Sequence, residues 1–151
     1  MQFVLALVTA LIIYNNCSQP DSTSEVEAMT RRNIDLKINY IELPAADFDA
    51  VESFYHQAFD WHFVDYGSEY RAFHDDRLDG GFYRSDNRSV AADGAALVIL
   101  YALDLESARE RVIAAGGQIG TDIFSFPGGR RFHFLDPHGN ELAVWSDIVA
   151  E

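Results

Sequence analysis

The chain has 151 residues and a mass of 17.0 kDa, room for one domain with a sizeable core, and its 48% hydrophobic and 23% charged content is ordinary for a soluble globular protein. Twenty-four acidic against eleven basic residues give a formal net charge of −13 with no basic stripe, which sets aside nucleic-acid partners. The single cysteine, Cys17, excludes an intrachain disulfide framework and argues against a thiolate metal site.

The N-terminal segment opens with Phe3–Ile13 (FVLALVTALII), an apolar run of eleven residues that is too short for a membrane span. Cys17 and a polar stretch, SQPDSTSE, follow. Apolar run, cysteine and polar spacer together resemble a bacterial lipoprotein signal, although no Lys or Arg precedes the run and Asn16 stands where a small residue is usual. The other reading takes Met29 as the start. The first reading predicts an exported or membrane-anchored protein that meets the membrane only through this leader; the second predicts a cytoplasmic one. On either, residues 1–32 are a leader and 33–151 one domain.

Ile38–Leu43 (INYIEL) predicts a strand closed by Pro44. Asp47 is a predicted N-cap, and Phe48, Val51, Phe54, Tyr55 and Ala58 follow at helical spacing. Strands are expected at Trp61–Tyr66, Tyr70–His74 and Phe82–Arg84. The plan then repeats. Ala95–Leu100 is a second apolar strand, Asp104 a second N-cap, and Leu105, Ala108, Val112 and Ala115 a second apolar stripe ended by Gly116-Gly117. Strands are expected at Gln118–Phe126, Arg130–Leu135 and Glu141–Trp145, joined by turns at Pro127-Gly128-Gly129 and Asp136-Pro137-His138-Gly139-Asn140. Asp47 and Asp104 are 57 positions apart, as are Ile38 and Ala95. A shared offset for strand and cap is the mark of an internal duplication. The fold class expected is α+β: two βαβββ modules, about 33–88 and 93–148, whose curved mixed or antiparallel sheets enclose a cleft with the helices outside.

This order, with the run LDPHGNELAVW near the end, resembles the vicinal oxygen chelate superfamily over roughly Lys37–Asp147. Its members include glyoxalase I, extradiol dioxygenases and bleomycin-resistance proteins. The resemblance implies paired modules, often completed across a homodimer. It also implies four strand positions, two per module, where the family's enzymes hold a divalent metal with His, Glu or Gln. Counting back from Phe54-Tyr55 places the first at Tyr40, and the offset places its partner at Leu97. Aligning on Gly139-Asn140 gives Ala143, and matching Tyr83-Arg84-Ser85-Asp86 to Val144-Trp145-Ser146-Asp147 gives Phe82. Leu, Ala and Phe offer no donor and a neutral Tyr is a poor one, so no metal ligands are assigned and a divalent-metal cofactor is disfavoured.

Other residues are candidates for binding or chemistry. Glu42 alternates with Tyr40 onto one strand face, where a desolvated carboxylate would act as general base; alternatively it pairs with an arginine and fixes the two halves. Arg131 and His133 alternate with Phe132 and Phe134. They face either the cleft, where Arg131 would hold a carboxylate or phosphate and His133 carry a proton, or solvent near a dimer edge. Arg84, Tyr101 and Trp145 extend the mapped faces. His62 and His74 with Asp75 or Asp76 would be an off-pattern metal site, His56 a surface residue and His138 a turn residue. The eleven Phe and seven Tyr suit either an aromatic-lined cavity or a Phe-rich core. Three functions follow: a metal-free small-molecule binder, probed against a glyoxalase-like lyase or isomerase using Glu42, or an interaction protein whose cleft its own aromatics fill.

Overall fold

The computed structural model describes residues 33–148, so the expected leader lies outside the described residues. Among the described residues, eight strands and two α-helices follow one another as β1 (Tyr40–Ala45), α1 (Phe48–Phe59), β2 (His62–Asp65), β3 (Tyr70–His74), β4 (Asp79–Arg84), β5 (Val98–Tyr101), α2 (Leu105–Ala114), β6 (Gln118–Phe126), β7 (Gly129–Leu135) and β8 (Glu141–Ser146). They form two four-stranded mixed sheets of the same design, ordered β1-β4-β3-β2 and β5-β8-β7-β6. In each, the strand before the helix lies parallel to the last strand, and the rest pair antiparallel. The α+β reading and its two βαβββ modules hold.

Both helices begin as their sequences require. Asp47 accepts from the Ala50 amide at 3.1 Å and Asp104 from the Ser107 amide at 2.9 Å, each in an extended cap conformation. Asp60 ends α1 at φ 60 with its amide bonded back to the last turn, a left-handed position that Asp tolerates. After α2, Gly116 takes φ 97. Gly117 is glycine for another reason: a Cβ there would meet the Phe54 ring and Val112 at 2.7 and 2.8 Å.

Several strand boundaries differ from expectation, and β4 begins at Asp79 rather than Phe82, so that Gly80 and Gly81 lie in its ladder. β1 is not closed by Pro44 but runs through it to Ala45. It is an edge strand, so a residue without an N–H is tolerated there. β5 starts at Val98 rather than Ala95, because Ala91–Asp93 forms a 3₁₀ turn and the Ala95 amide bonds back to Val90.

One core joins the modules. It draws Leu43, Phe54, Tyr55 and Phe82 from the first and Val112, Phe132, Phe134 and Leu142 from the second. Phe134 lies 5.9 Å from Phe54 and 5.6 Å from Phe59, ring centre to ring centre. Trp61 stacks between Tyr55 at 4.4 Å and Phe73 at 4.3 Å.

A buried polar cluster closes the seam between the modules. In the turn after β7, Asp136 Oδ1 accepts from the amides of His138, Gly139 and Asn140, each at 2.9 Å. Its Oδ2 accepts from the Tyr55 hydroxyl at 3.0 Å and the Asn140 side-chain amide at 2.9 Å. Asn140 also donates to the Pro44 carbonyl and accepts from the Ser89 amide, both at 2.9 Å. His138 accepts from the Ala46 amide through Nδ1 at 3.2 Å and donates from Nε2 to the Asn87 carbonyl at 2.7 Å. The turn thus grips the first module at β1 and at the connection after β4.

Candidate functional site

Strand residues alternate between the core side and an outward side. In the first sheet Leu43, Phe73 and Phe82 point to the core, while Tyr40, Glu42, Tyr70, Gly81 and Tyr83 occupy the other face. In the second, Phe132, Phe134, Leu142 and Val144 point inward, and Ile99, Tyr101, Arg131, His133, Ala143 and Trp145 outward. Tyr40, Val64, Tyr83, Ile99 and Tyr101 leave large apolar surface exposed on these outward faces. An outward face with so many rings is the candidate site.

On the first sheet a chain of hydroxyls ends on a carboxylate. Tyr40 and Tyr70 hydroxyls lie 2.9 Å apart, and Tyr70 donates to Glu42 Oε1 at 2.9 Å. Burial, then the bonds with Tyr40 and Glu42, push the Tyr70 phenol far above its ordinary value. Gly81 makes room for this arrangement, since a Cβ there would collide with the Tyr70 ring. Glu42 itself is exposed in the single chain, and its hydroxyl partner stands where sequence reasoning allowed an arginine.

The second sheet carries the other group. Register sets Arg131 opposite Trp145 and His133 opposite Ala143. The Arg131 guanidinium lies 5.1 Å from the Phe124 ring centre and 5.4 Å from that of Phe126. Trp145 is 5.4 Å from Tyr101 and 6.5 Å from Phe126. His133 Nδ1 meets Glu141 Oε1 at 2.8 Å. Glu141 Oε2 accepts in addition from the Ala91 amide at 2.9 Å, and the His133 bond above all holds the Glu141 carboxyl below its ordinary value. Tyr101 donates to Asp147 at 2.7 Å, the main reason its phenol is pushed upward.

Two expected site residues lie elsewhere. Phe82 is fully buried against Tyr55 and Phe73, and Arg84 lies on the same side of β4. The Arg84 guanidinium sits 4.5 Å over the Phe48 ring and donates to the Ala46 carbonyl at 2.6 Å and to the Ser68 carbonyl. The alignment of the two last strands was out of register by one. Pairing sets Gly81 opposite Glu42 and Ala143 opposite Ile99, the equivalent of Glu42, so Gly81 is the true counterpart of Ala143. Sequence reasoning also missed Glu141, Tyr70, Phe124 and Phe126. A hairpin closed by the Asp136–Asn140 turn would have brought Glu141 diagonally beside His133. The other three needed the register of β3 and the irregular pairing of β6.

His62 and His74 do face each other across β2 and β3, and His74 Nδ1 lies 2.8 Å from Asp79. Among the described residues, however, no three His, Cys, Asp or Glu side chains converge as a metal site. His56 is exposed and bonds to the Trp61 carbonyl at 3.2 Å. A surface depression of about 480 Å³ lies along α1 and β2, away from both outward sheet faces; its cation, Arg71, is already paired with Glu52, Asp49 and Asp65.

Residues 37–144 match the family model of the Glyoxalase/Bleomycin resistance protein/Dioxygenase superfamily. The chain belongs to that superfamily. Solved structures share its fold at low identity. A family enzyme from Burkholderia phytofirmans PsJN is 17% identical over 74% of this chain and 99% of its own, with a TM-score of 0.61. Lactoylglutathione lyase from Agrobacterium tumefaciens is 22% identical over 75% and 95%, with a TM-score of 0.58. TioX from Micromonospora sp. ML1 is 17% identical over 74% and 99%, also at 0.58. No curated protein matches the sequence.

The superfamily's metal does not fit the donors present. With the register corrected, the four positions hold Tyr40, Gly81, Leu97 and Ala143, which supply one phenol and no imidazole, carboxylate or amide. Of the nearby donors, Glu42 is engaged by Tyr70, and His133 Nδ1 and Glu141 by each other, which leaves the single nitrogen His133 Nε2, too few donors for a metal.

Proposed function

We propose that this superfamily member binds a small organic molecule, without the usual metal centre, in an aromatic-lined cleft formed by the outward sheet faces. One observation carries the reading: the four metal positions offer almost no ligand chemistry, while aromatic side chains gather around the same faces. A protein that kept the fold for binding alone would be freed from keeping its metal ligands.

The cleft is proposed to be completed in a homodimer. Each four-stranded sheet ends in an open edge strand, β1 or β5, and each leaves an apolar face outward. Setting the first sheet of one protomer against the second sheet of another pairs these edges and encloses both faces. A second copy is the occupant argued for because the two half-sites are alike in design and lie in one chain.

Purified protein should carry no stoichiometric Ni, Zn, Mn or Fe by elemental analysis, and added metal should not produce activity. A tightly held equivalent of metal that Glu42→Ala loses would overturn the binder reading. A thermal-shift screen of small aromatics supplies the positive arm, since a ligand at a hundred times its Kd adds about 2.7 kcal/mol of stability.

The lyase or isomerase reading retains one specific support, the Tyr70–Glu42 bond, which holds a carboxylate in a fixed position on the first outward face. Turnover of any bound compound that Glu42→Gln abolishes while binding persists would favour it.

A further inference from the structure

The geometry points to the outward face of β7 and β8 as a site for a planar organic carboxylate that also carries an O–H or N–H donor, with Arg131 holding the carboxylate and His133 Nε2 accepting from the donor. This rests on the cleft-binding reading and names its ligand class.

Arg131 is set apart from the other arginines of the secondary structure. Arg71, Arg84, Arg109, Arg111 and Arg130 all have carboxylate partners. Arg130 is the immediate neighbour of Arg131 in sequence, but strand alternation sends it to the other face, where Glu106 neutralises it. Arg131 has no carboxylate partner among the described residues, in a chain with more than twice as many acidic as basic residues. Its Nε is buried and without an acceptor. A buried guanidinium donor left unmatched is costly, and a bound anion is the ordinary remedy.

The second group is two residues along the same strand, on the same face, with the two Cα atoms about 7 Å apart at the usual rise. Glu141 is ionised and can only accept, so His133 Nδ1 must donate to it. In the neutral ring this leaves a lone pair on Nε2, which is buried and has no partner. The His133 side chain is 14% exposed, so the orphan is not simply solvated. Glu141 is held from behind by the Ala91 amide, which fixes the tautomer. Phe124, Phe126, Tyr101 and Trp145 frame the two groups with ring faces and edges. The complement is a flat molecule, anionic at one end and carrying a donor beyond the ring.

Isothermal titration of the full-length protein with 4-hydroxybenzoate, benzoate and 4-hydroxybenzamide tests this. Binding should be tightest for 4-hydroxybenzoate, and at least tenfold weaker for the neutral amide. Arg131→Met keeps a flexible chain against Phe124 and Phe126 and should erase the preference for the acid over the amide. His133→Phe should bring 4-hydroxybenzoate and benzoate to equal affinity. Circular dichroism checks that both variants fold, and an Arg130→Met control should bind like the parent. Equal affinity for acid and amide, or an undiminished acid preference in Arg131→Met, overturns the assignment of ligand class while leaving the cleft-binding reading standing. No binding of any of the three at millimolar concentration overturns the class as well, and a hit from the neutral members of the aromatic screen would then show that the cleft reading survives it.

Discussion

The Asn140 side-chain amide donates to the Pro44 carbonyl across 96 positions of sequence, at 2.9 Å and with Asn140 fully buried. The same side chain accepts from Ser89 and donates to Asp136, which in turn takes the Tyr55 hydroxyl. A turn in the second module therefore holds the edge strand of the first.

Removing that amide should be expensive. Asn140→Ala strips hydrogen bonds from Pro44, Ser89 and Asp136 at once, and a buried group left unpaired costs about 1–3 kcal/mol. A loss of about 3 kcal/mol is expected, read as a lower urea midpoint at unchanged slope. Tyr55→Phe should cost about 1 kcal/mol, because Asp136 Oδ2 keeps its bond from Asn140. The two substitutions should be non-additive in a double-mutant cycle.

Stability should fall in acid, and Glu141 should contribute to the fall. The His133 bond lowers its carboxyl from the ordinary 4.5, so the folded state favours the ionised form. That contribution is present above pH 4.5 and is lost as pH drops through the lowered value. Glu106 and Asp122, lowered chiefly by the Arg130 bond and the Ile123 amide respectively, behave alike. Asp136 has the opposite sign, since burial raises it despite five hydrogen bonds, so its protonation does not drive acid unfolding. Chemical unfolding across pH 3–7 should show a shallower acid decline in Glu141→Gln.

An alkaline limit is expected as well. Burial above all pushes the Tyr55 phenol well above its ordinary 10.0, with the Asp136 charge adding to it. Tyr70 is raised in the same direction. Their contribution is intact below pH 10 and is lost as pH climbs past it, because the unfolded phenols ionise first. Tyr55→Phe should flatten the decline above pH 10 in the same unfolding assay.

Gly80 should tolerate no side chain. A Cβ would approach the Ile41 carbonyl oxygen at 2.6 Å, a backbone atom held by the β1–β4 ladder, as well as the Phe73 ring. Gly80→Ala is expected to cost about 1–3 kcal/mol by overpacking. Thermal melting would check it.

The dimer has a direct signature. Sedimentation should give twice the 17.0 kDa chain mass, and Ile99→Asp with Tyr101→Glu should shift the protein toward monomer without unfolding it, because both residues are exposed in the single chain. An unchanged dimer would place the interface elsewhere.

The sequence by itself determined the two modules. Helix caps, apolar periods and turn residues act over a few positions, so Asp47, Asp104, Gly116 and the Pro127-Gly128 turn were legible without any tertiary contact. Strand faces within β1 and β7 were legible too, since alternation is local. Register between strands was not. Ladder pairing is set by distant partners, and a slip of one exchanges faces, which is why Phe82 and Arg84 moved to the core side while Gly81 and Tyr83 took the outward one. Only the tertiary structure decided which polar groups meet: Glu42 with Tyr70, His133 with Glu141, Asn140 with Pro44. It also decided that Arg131 finds no carboxylate among the described residues, because that depends on every surface that packs around it.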